Sequence, residues 1–341
     1  RSRHQEPKQF INIVGSESLL RTTVNRLSGL VDKDHILIIT TEDLVSQTQK
    51  NLPELPVENI LVEPEGRNTG PCLAFALTML EPRAAGGTMV VLSADHWIGD
   101  TALFQQDIQT AVTHAETKQH MVVFGIHPTH PETGYGYIEA ESPTGLSRVK
   151  SFKEKPQLDQ AIDYLKDPHQ LWNAGMFVWS FVTLTNALSE HQPEMHQACQ
   201  RWFAAAAKGP KRLETVLAQE YPEIRKISVD FALMEKAQNV VVADGRFDWD
   251  DLGAWPALAR HLKQDAEGNA AVGDVVHVDA ARNIVFDSRT RGRTPITLVG
   301  VKDSILVLTD DATLVASKSE SQKIKDLVRK LSADPRWAAL V

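Results

Sequence analysis

Residues 88–98 read TMVVLSADHWI, an apolar run that ends on Asp95 and His96. In an open parallel sheet, ligands bind in the crevice beyond the carboxyl ends of the strands, so an acid placed there can hold a metal. A polar turn closing a strand explains the same two residues and, on this string alone, is the commoner case. A second acidic string, FDWDDLGAW (247–255), crowds Asp248, Asp250 and Asp251 between aromatic side chains ahead of Gly253. In an extended chain Asp248 and Asp250 share one face and Asp251 points to the other, so the three need not serve one ligand. If Asp251 approaches Asp95, two carboxylates about 4 Å apart repel by roughly 4 kcal/mol at an effective dielectric of about 20. A divalent cation reverses that sign, and with oxygen ligands Mg²⁺ is the expected choice.

Four further strings carry groups that could meet a polar ligand. EPEGRNTGPCLAFALTML (63–80) has no period through GRNTG and then a helix start marked by Pro71. Its free N–H groups, with Arg67, Asn68 and Thr69 beside them, would suit an anion or a polar ring edge, and a simple capping loop is the alternative. In HPTHPETGYGYIE (127–139), Gly134 and Gly136 allow close backbone approach, and Tyr135 and Tyr137 offer flat faces of the kind sugars pack against. His127 and His130 have no third ligand nearby and read as surface histidines. VKSFKEKP (149–156) brings Glu154 and Lys155 to the end of a strand, a carboxylate for hydroxyls beside an ammonium for phosphate, although a charged edge has the same pattern. LWNAGMFVW (171–179) sets Asn173 in an apolar run, where its amide must find partners in the backbone or a ligand.

The elements that would position these residues follow from periodicity. HILIIT (35–40), NILV (59–62), TMVVLS (88–93) and MVVFGI (121–126) are short β-rich runs separated by helix-length segments, the rhythm of βαβ units and a mainly parallel sheet covered on both faces. ALFQQDIQTAVTHAE (102–116) has the helical period of a crossover. Helical, alanine-rich sequence between Leu184 and Leu217 reads as an insertion or lid beside the sheet. After residue 262 closely spaced short strands predict a small all-β module, and SESQKIKDLVRKLSADPRWAAL a terminal helix with Ser319 as its cap. The expected division is therefore 1–262 and 263–341.

Bulk composition narrows the classes. At 341 residues the chain exceeds the usual size of one hydrophobic core, and 42% apolar with 23% charged residues is ordinary for a soluble globular protein. A net charge of −8 argues against nucleic acid and anionic membrane as general partners. Cys72 and Cys199, far apart in sequence, fit a reducing cytoplasm and exclude a cysteine-rich zinc site. With no apolar run of membrane-spanning length and no signal peptide at Arg1, a cytoplasmic location is expected.

Taken together, PKQF (7–10), EPEGRNTGP (63–71), SADH (93–96), PETGYGYIE (131–139), FKEKP (152–156), WNAGMF (172–177), SVDFALMEK (228–236) and WDDLGAW (249–255) resemble the mannose-1-phosphate guanylyltransferases, members of the sugar-phosphate nucleotidyltransferases. The resemblance spans nearly the whole chain. It implies an α/β, Rossmann-like, mainly parallel sheet flanked by helices, with a C-terminal β-rich module resembling a short left-handed β-helix. It also implies transfer of GMP from GTP to α-mannose 1-phosphate, giving GDP-mannose and pyrophosphate. Asp95 and Asp251 then stand as Mg²⁺ ligands, and Lys8 as the lysine that meets phosphate at the nucleotide site. Arg67, Asn68 and Thr69 match the loop that lies against the nucleotide, together with Lys8 and Asp95. Gly136, Glu154 and Asn173 match hexose-binding positions and Lys155 the one that contacts the sugar phosphate. His96 is left a supporting role, the charge of Asp250 has no assignment, and a homodimer stays open. The rival expectations are the same chemistry on another hexose or heptose 1-phosphate or another NTP, and a catalytically silent nucleotide-sugar sensor.

One departure stands out. The family opens on a strand and glycine-rich loop, roughly GGxGTRLWPLSR, whose backbone cradles the triphosphate. Here Ser2 and Arg3 match only its last two residues, with Arg1 in place of leucine. Either that segment precedes Arg1 in the full-length protein, or a truncated chain loses a strand and most of its turnover.

Overall fold

β-Branched and apolar runs build strands wherever the sequence alternates with helix-length segments. In a computed structural model these resolve into two units, with residues 7–12, 15, 17–80, 86–292 and 294–338 described. Ser2 and Arg3, the matches to the end of the glycine-rich segment, and Arg1 before them lie outside the described residues.

The larger unit holds Val24–Ser93 and Ile98–Trp249. Strand β1 (Ile38–Thr41), helix α1 (Val45–Asn51) and strand β2 (Ile60–Glu63) form one βαβ unit, the strands pairing parallel with Ile38 opposite Ile60. Helix α2 (Thr69–Leu80) leads to β3 (Thr88–Val91), and helix α3 (Thr101–Lys118) to β4 (Met121–Ile126). Asp100 caps α3 by accepting a hydrogen bond from the Leu103 N–H at 3.0 Å, as expected of an N-cap aspartate. A hairpin of β5 (Gly136–Ala140) and β6 (Leu146–Glu154) follows, then α4 (Leu158–Tyr164) and the long β7 (Gln170–Ser180). Helices α5 (Phe181–His191), α6 (Pro193–Ala206) and α7 (Pro210–Glu220) precede β8 (Val240–Asp244).

The six-stranded sheet has the order β3-β7-β4-β8-β6-β5. β4 and β8 are parallel, and β7 is antiparallel to both β3 and β4, so β3, β4 and β8 share one direction. This is the Rossmann-like α/β frame with β7 inserted against the run of the crossover strands, a detail that the strand rhythm does not reveal. Every residue of β4 is buried. Met121 and Val123 face a core that includes Leu73, Phe75, Trp179 and Trp202, while Val122 and Phe124 face Phe104, Ile108 and Ala111 of α3. Helices thus cover both faces, which is why the central strands read as unbroken apolar runs.

The second unit holds the N-terminal segment, Ala94–Trp97 and everything from Asp250 onward. After α8 (Trp255–Arg260) come β9 (Ala270–Val272), β10 (Val275–Val278), β11 (Ile284–Asp287), β12 (Ile296–Val299), β13 (Ser304–Leu308) and β14 (Thr313–Ser317). β9, β11 and β13 stack parallel with Ala270, Ile284 and Ile305 in register, β10 and β12 form a second parallel pair, and β14 returns antiparallel to β13. Successive coils therefore lie on one another, giving a β-helix-like module around Ile284, Phe286, Ile305 and Val307. Buried asparagines fasten the turns: Asn269 accepts from the Asn283 N–H at 2.9 Å, and Asn283 donates to the Val301 carbonyl at 2.8 Å. The terminal helix α9 (Ile324–Ser332) is preceded by a 3₁₀ stretch, Lys318–Lys323. Ser319 consequently pairs with the Ser317 hydroxyl at 2.9 Å instead of capping α9. No helix among the described residues is long and apolar enough to cross a membrane.

Candidate functional site

Three of the predicted residues meet in the smaller unit. Pro7 holds the chain extended, and a 3₁₀ turn at Lys8–Phe10 follows it. The Lys8 ammonium lies 2.8 Å from Asp95 Oδ2 and also donates to the main-chain carbonyl of Asp251. His96 Nε2 is 3.8 Å from the other Asp95 oxygen. The carboxylate of Asp251 folds back on its own loop, Oδ1 accepting from the Gly253 N–H at 2.7 Å. A Cβ on Gly253 would stand 2.8 Å from Asp251 Oδ2, so a larger residue there would push the carboxylate off its loop.

Asp250 receives its explanation from the same loop. Only 4% exposed, it accepts from His261 Nε2 and Arg260 Nη2, each at 2.8 Å, and from the Leu252 N–H at 2.9 Å. Burial pushes its carboxyl up, but the bonds from His261, Leu252 and Arg260 outweigh that and bring it to about 2. His261 in turn packs on Trp97, ring centroids 3.9 Å apart. Asp250 is therefore an anchor of the loop that carries Asp251.

In the larger unit, the GRNTG loop departs from the reading of free amides. The Thr69 N–H is taken by Asn68 Oδ1 at 2.8 Å and the Gly70 N–H by the Ile227 carbonyl at 3.0 Å. Thr69 Oγ1 accepts from the Val229 N–H at 2.9 Å, and Arg67 donates to the Ile224 carbonyl at 3.2 Å and to Glu65. The Thr69 and Gly70 amides are thus not open, and the side chains of Arg67, Asn68 and Thr69 themselves brace the loop.

Gly136, Glu154, Lys155 and Asn173 come together on neighbouring strands. Gly136 is in register with Glu154, and a Cβ there would be 2.7 Å from Glu154 Oε2 and 3.5 Å from Asn173 Cβ. Lys155 binds Glu154 Oε1 at 2.7 Å. Asn173 donates to Asp230 Oδ1 at 2.8 Å, a partner that sequence reasoning missed although SVDFALMEK is among the matching strings. The tyrosines divide. Tyr137 is fully buried, its hydroxyl donating to the Glu132 carbonyl at 3.0 Å, so it packs the core and offers no face to a sugar. Tyr135 is half-buried, edge-on to Trp172 and Trp249. His127 lies 3.3 Å from Asp244 and His130 3.5 Å from Glu132.

Some of the backbone's left-handed residues fall in these strings. Seven described residues other than glycine have positive φ, and three of them, Asn68, Lys155 and Leu252, lie in the GRNTG, FKEKP and WDDLG strings. Such conformations persist where the surroundings enforce them, as around binding sites. A separate group, Asp265, Glu267 and His277, has ligand atoms within 4.8 Å of one another in the β-helix-like module. The Asp265 carboxylate there already accepts from the Glu267 and Asn269 N–H groups, from the Asn269 side chain and from His277, so that both of its oxygens are engaged.

Comparison with known proteins gives the family of the chain. Residues 2–268 match the nucleotidyl transferase family model, and residues 273–331 match the mannose-phosphate isomerase/GMP-like β-helix domain. The chain belongs to the nucleotidyl transferase family. It is 36% identical to the xanthan biosynthesis protein XanB of Xanthomonas campestris pv. campestris (strain B100), over 99% of this chain and 71% of that protein. It is 35% identical to a mannose-1-phosphate guanylyltransferase of Escherichia coli, over 98% of this chain and 71% of the relative. A crystal structure from Thermus thermophilus, described as a mannose-1-phosphate geranyltransferase, superposes with a TM-score of 0.84 at 30% identity, covering 97% of this chain and 94% of that one.

Proposed function

We propose that this chain is a mannose-1-phosphate guanylyltransferase, transferring GMP from GTP to α-mannose 1-phosphate with release of pyrophosphate. The observation that carries the reading is the convergence of Asp95 and the Asp251 main chain on the Lys8 ammonium, three positions remote in sequence that the family resemblance had singled out independently. Relatives of that name at 31–35% identity over 98% of the chain supply the substrate class.

A sugar phosphate is already anionic near neutral pH, so no general base is needed to make the nucleophile. The work is to bring two anions together in line and to neutralise charge at the α-phosphate. Lys8 supplies fixed positive charge for the nucleotide phosphates. Arg67, Asn68 and Thr69 hold base or ribose. Glu154, the Gly136 backbone and Asn173 take the hexose, and Lys155 its phosphate. Asp95 and Asp251 would hold Mg²⁺, a cation that prefers carboxylate oxygen, and the ion would supply neutralisation of phosphate charge. Residues 1–262 form the catalytic domain on this reading and 263–341 the accessory β-rich module.

Incubation of the protein with Mg²⁺, each NTP and several hexose 1-phosphates, with pyrophosphate measured, tests the assignment. GTP with mannose 1-phosphate is the expected best pair. Preference for ATP or dTTP, or tight binding of GDP-mannose without any turnover, would replace it by another specificity or by a sensor.

A further inference from the structure

Asp230 opens a π-helical turn, Asp230–Met234, a local break in the helical ladder of a kind that recurs at functional sites. Its Oδ1 accepts a hydrogen bond from Asn173 Nδ2 at 2.8 Å, while Asn173 Oδ1 accepts from the Gly175 N–H at 2.9 Å. These two contacts decide which way round the amide lies, because a carboxylate can only accept and a backbone N–H can only donate. An asparagine side chain has two N–H donors and two carbonyl lone pairs. Asp230 takes one donor and Gly175 one lone pair, which leaves one of each for a ligand.

The turn that carries Asp230 is fixed from two sides. The preceding Val229 N–H donates to Thr69 Oγ1, and Gln192 Nε2 donates to the Ala232 carbonyl at 3.0 Å. Glu154 and Lys155 both act electrostatically on the Asp230 carboxyl, which burial pushes up and the Asn173 bond pulls down. The Glu235 carboxyl is pushed up by burial and by the charges of Asp230 and Glu154. Asp230 thus stands behind the Gly136–Glu154–Asn173 floor as part of one electrostatic unit.

We infer that Asp230 is a positioning residue for the sugar: it locks the Asn173 amide so that its remaining N–H and lone pair meet hexose hydroxyls, and it thereby sets discrimination among hexose 1-phosphates. The inference rests on the assignment of the Gly136, Glu154, Lys155 and Asn173 cradle to the hexose phosphate. A site built to hydrogen-bond a hydroxyl penalises a substrate that presents it elsewhere, because its own polar groups are then left unpaired. An amide free to reorient loses much of that penalty.

Steady-state kinetics of wild type, Asp230→Ala, Asp230→Asn, Asn173→Ala and the two double variants, with GTP and with mannose or glucose 1-phosphate, test it. Asp230→Ala should raise KM for mannose 1-phosphate about tenfold, leave KM for GTP within about twofold, and narrow the mannose-to-glucose ratio of kcat/KM about fivefold. Asp230→Asn keeps an acceptor oxygen and should recover most of the loss. In an Asn173→Ala background, either change at Asp230 should add less than about twofold, the non-additivity expected of residues acting through one another. If Asp230→Ala does not fold, Asp230→Leu, close to aspartate in size but without an acceptor oxygen, carries the same comparison. Effects that multiply with Asn173→Ala, that raise both KM values alike, or that leave sugar discrimination unchanged would overturn the role. A wild-type enzyme inert toward mannose 1-phosphate would overturn the reading of the cradle and this inference with it.

Discussion

Lys8 Nζ stands 2.8 Å from Asp95 Oδ2 and donates at the same time to the Asp251 carbonyl. With 21% and 37% of the two side chains exposed, the pair is near the surface, where ion pairs contribute at most about 1 kcal/mol to stability. Its worth is expected in phosphate binding. Lys8→Met should lower kcat/KM by about 10²–10³-fold, while the melting temperature moves by no more than about 3 °C. Pyrophosphate release and thermal unfolding measured on the same preparation separate the two effects. Retention of more than about a tenth of wild-type turnover would remove Lys8 from the phosphate-binding set.

Asp251→Asn isolates charge from geometry. Asparagine preserves an oxygen able to accept the Gly253 N–H, so the loop should keep its conformation. Loss of one of two anionic ligands should cost Mg²⁺-dependent turnover by at least about 10³-fold, with folding nearly unchanged. A titration of activity against Mg²⁺, with near-normal rates in the variant, would contradict the metal assignment.

The fold was legible where local period decides it, and less so where partners come from afar. MVVFGI became β4 at its predicted bounds because a fully buried strand must be apolar throughout. The antiparallel course of β7 was invisible, since pairing direction leaves no mark on a strand of this kind. Tyr137 and Tyr135 look alike in GYGY, yet one enters the core and the other stays half-buried, a difference set by the pairing of β5 and not by the string itself. The Gly70 amide looked free because its partner, the Ile227 carbonyl, is distant in sequence, whereas the Thr69 amide is taken by the side chain of its own neighbour, Asn68. Asp250 was more accessible to reasoning: Arg260 and His261 follow one short helix later, and a basic pair there could have been matched to a nearby acid.

The Asp250 anchor makes stability depend on pH with a definite sign. Its folded carboxyl sits at about 2 against an ordinary 3.8, so the folded state prefers the charged form. The contribution, roughly 2 kcal/mol, is fully present above about pH 4 and is lost as pH falls through about 2. Asp250→Asn should therefore be markedly less stable than wild type at about pH 6, and the gap should close as pH drops from about 4 to about 2. Urea unfolding of both proteins across that range measures the gap, and a constant difference would show that packing, not charge, gives Asp250 its role.

Two glycines should fail in opposite ways when a methyl group is added. At Gly70 a Cβ would lie 2.7 Å from the Ile227 carbonyl, a backbone atom that cannot retreat without moving the segment. Gly70→Ala should accordingly destabilise the fold by about 1–3 kcal/mol, seen in chemical denaturation. At Gly136 the Cβ would meet, at the same distance, the carboxylate end of Glu154, which can swing aside. Gly136→Ala should fold with little loss but displace the carboxylate offered to the hexose, raising KM for mannose 1-phosphate about tenfold while KM for GTP stays within about twofold. Comparable loss of stability in both variants would mean that Glu154 is held as rigidly as main chain, whereas unchanged sugar kinetics in a stable Gly136→Ala protein would take Glu154 out of the hexose cradle.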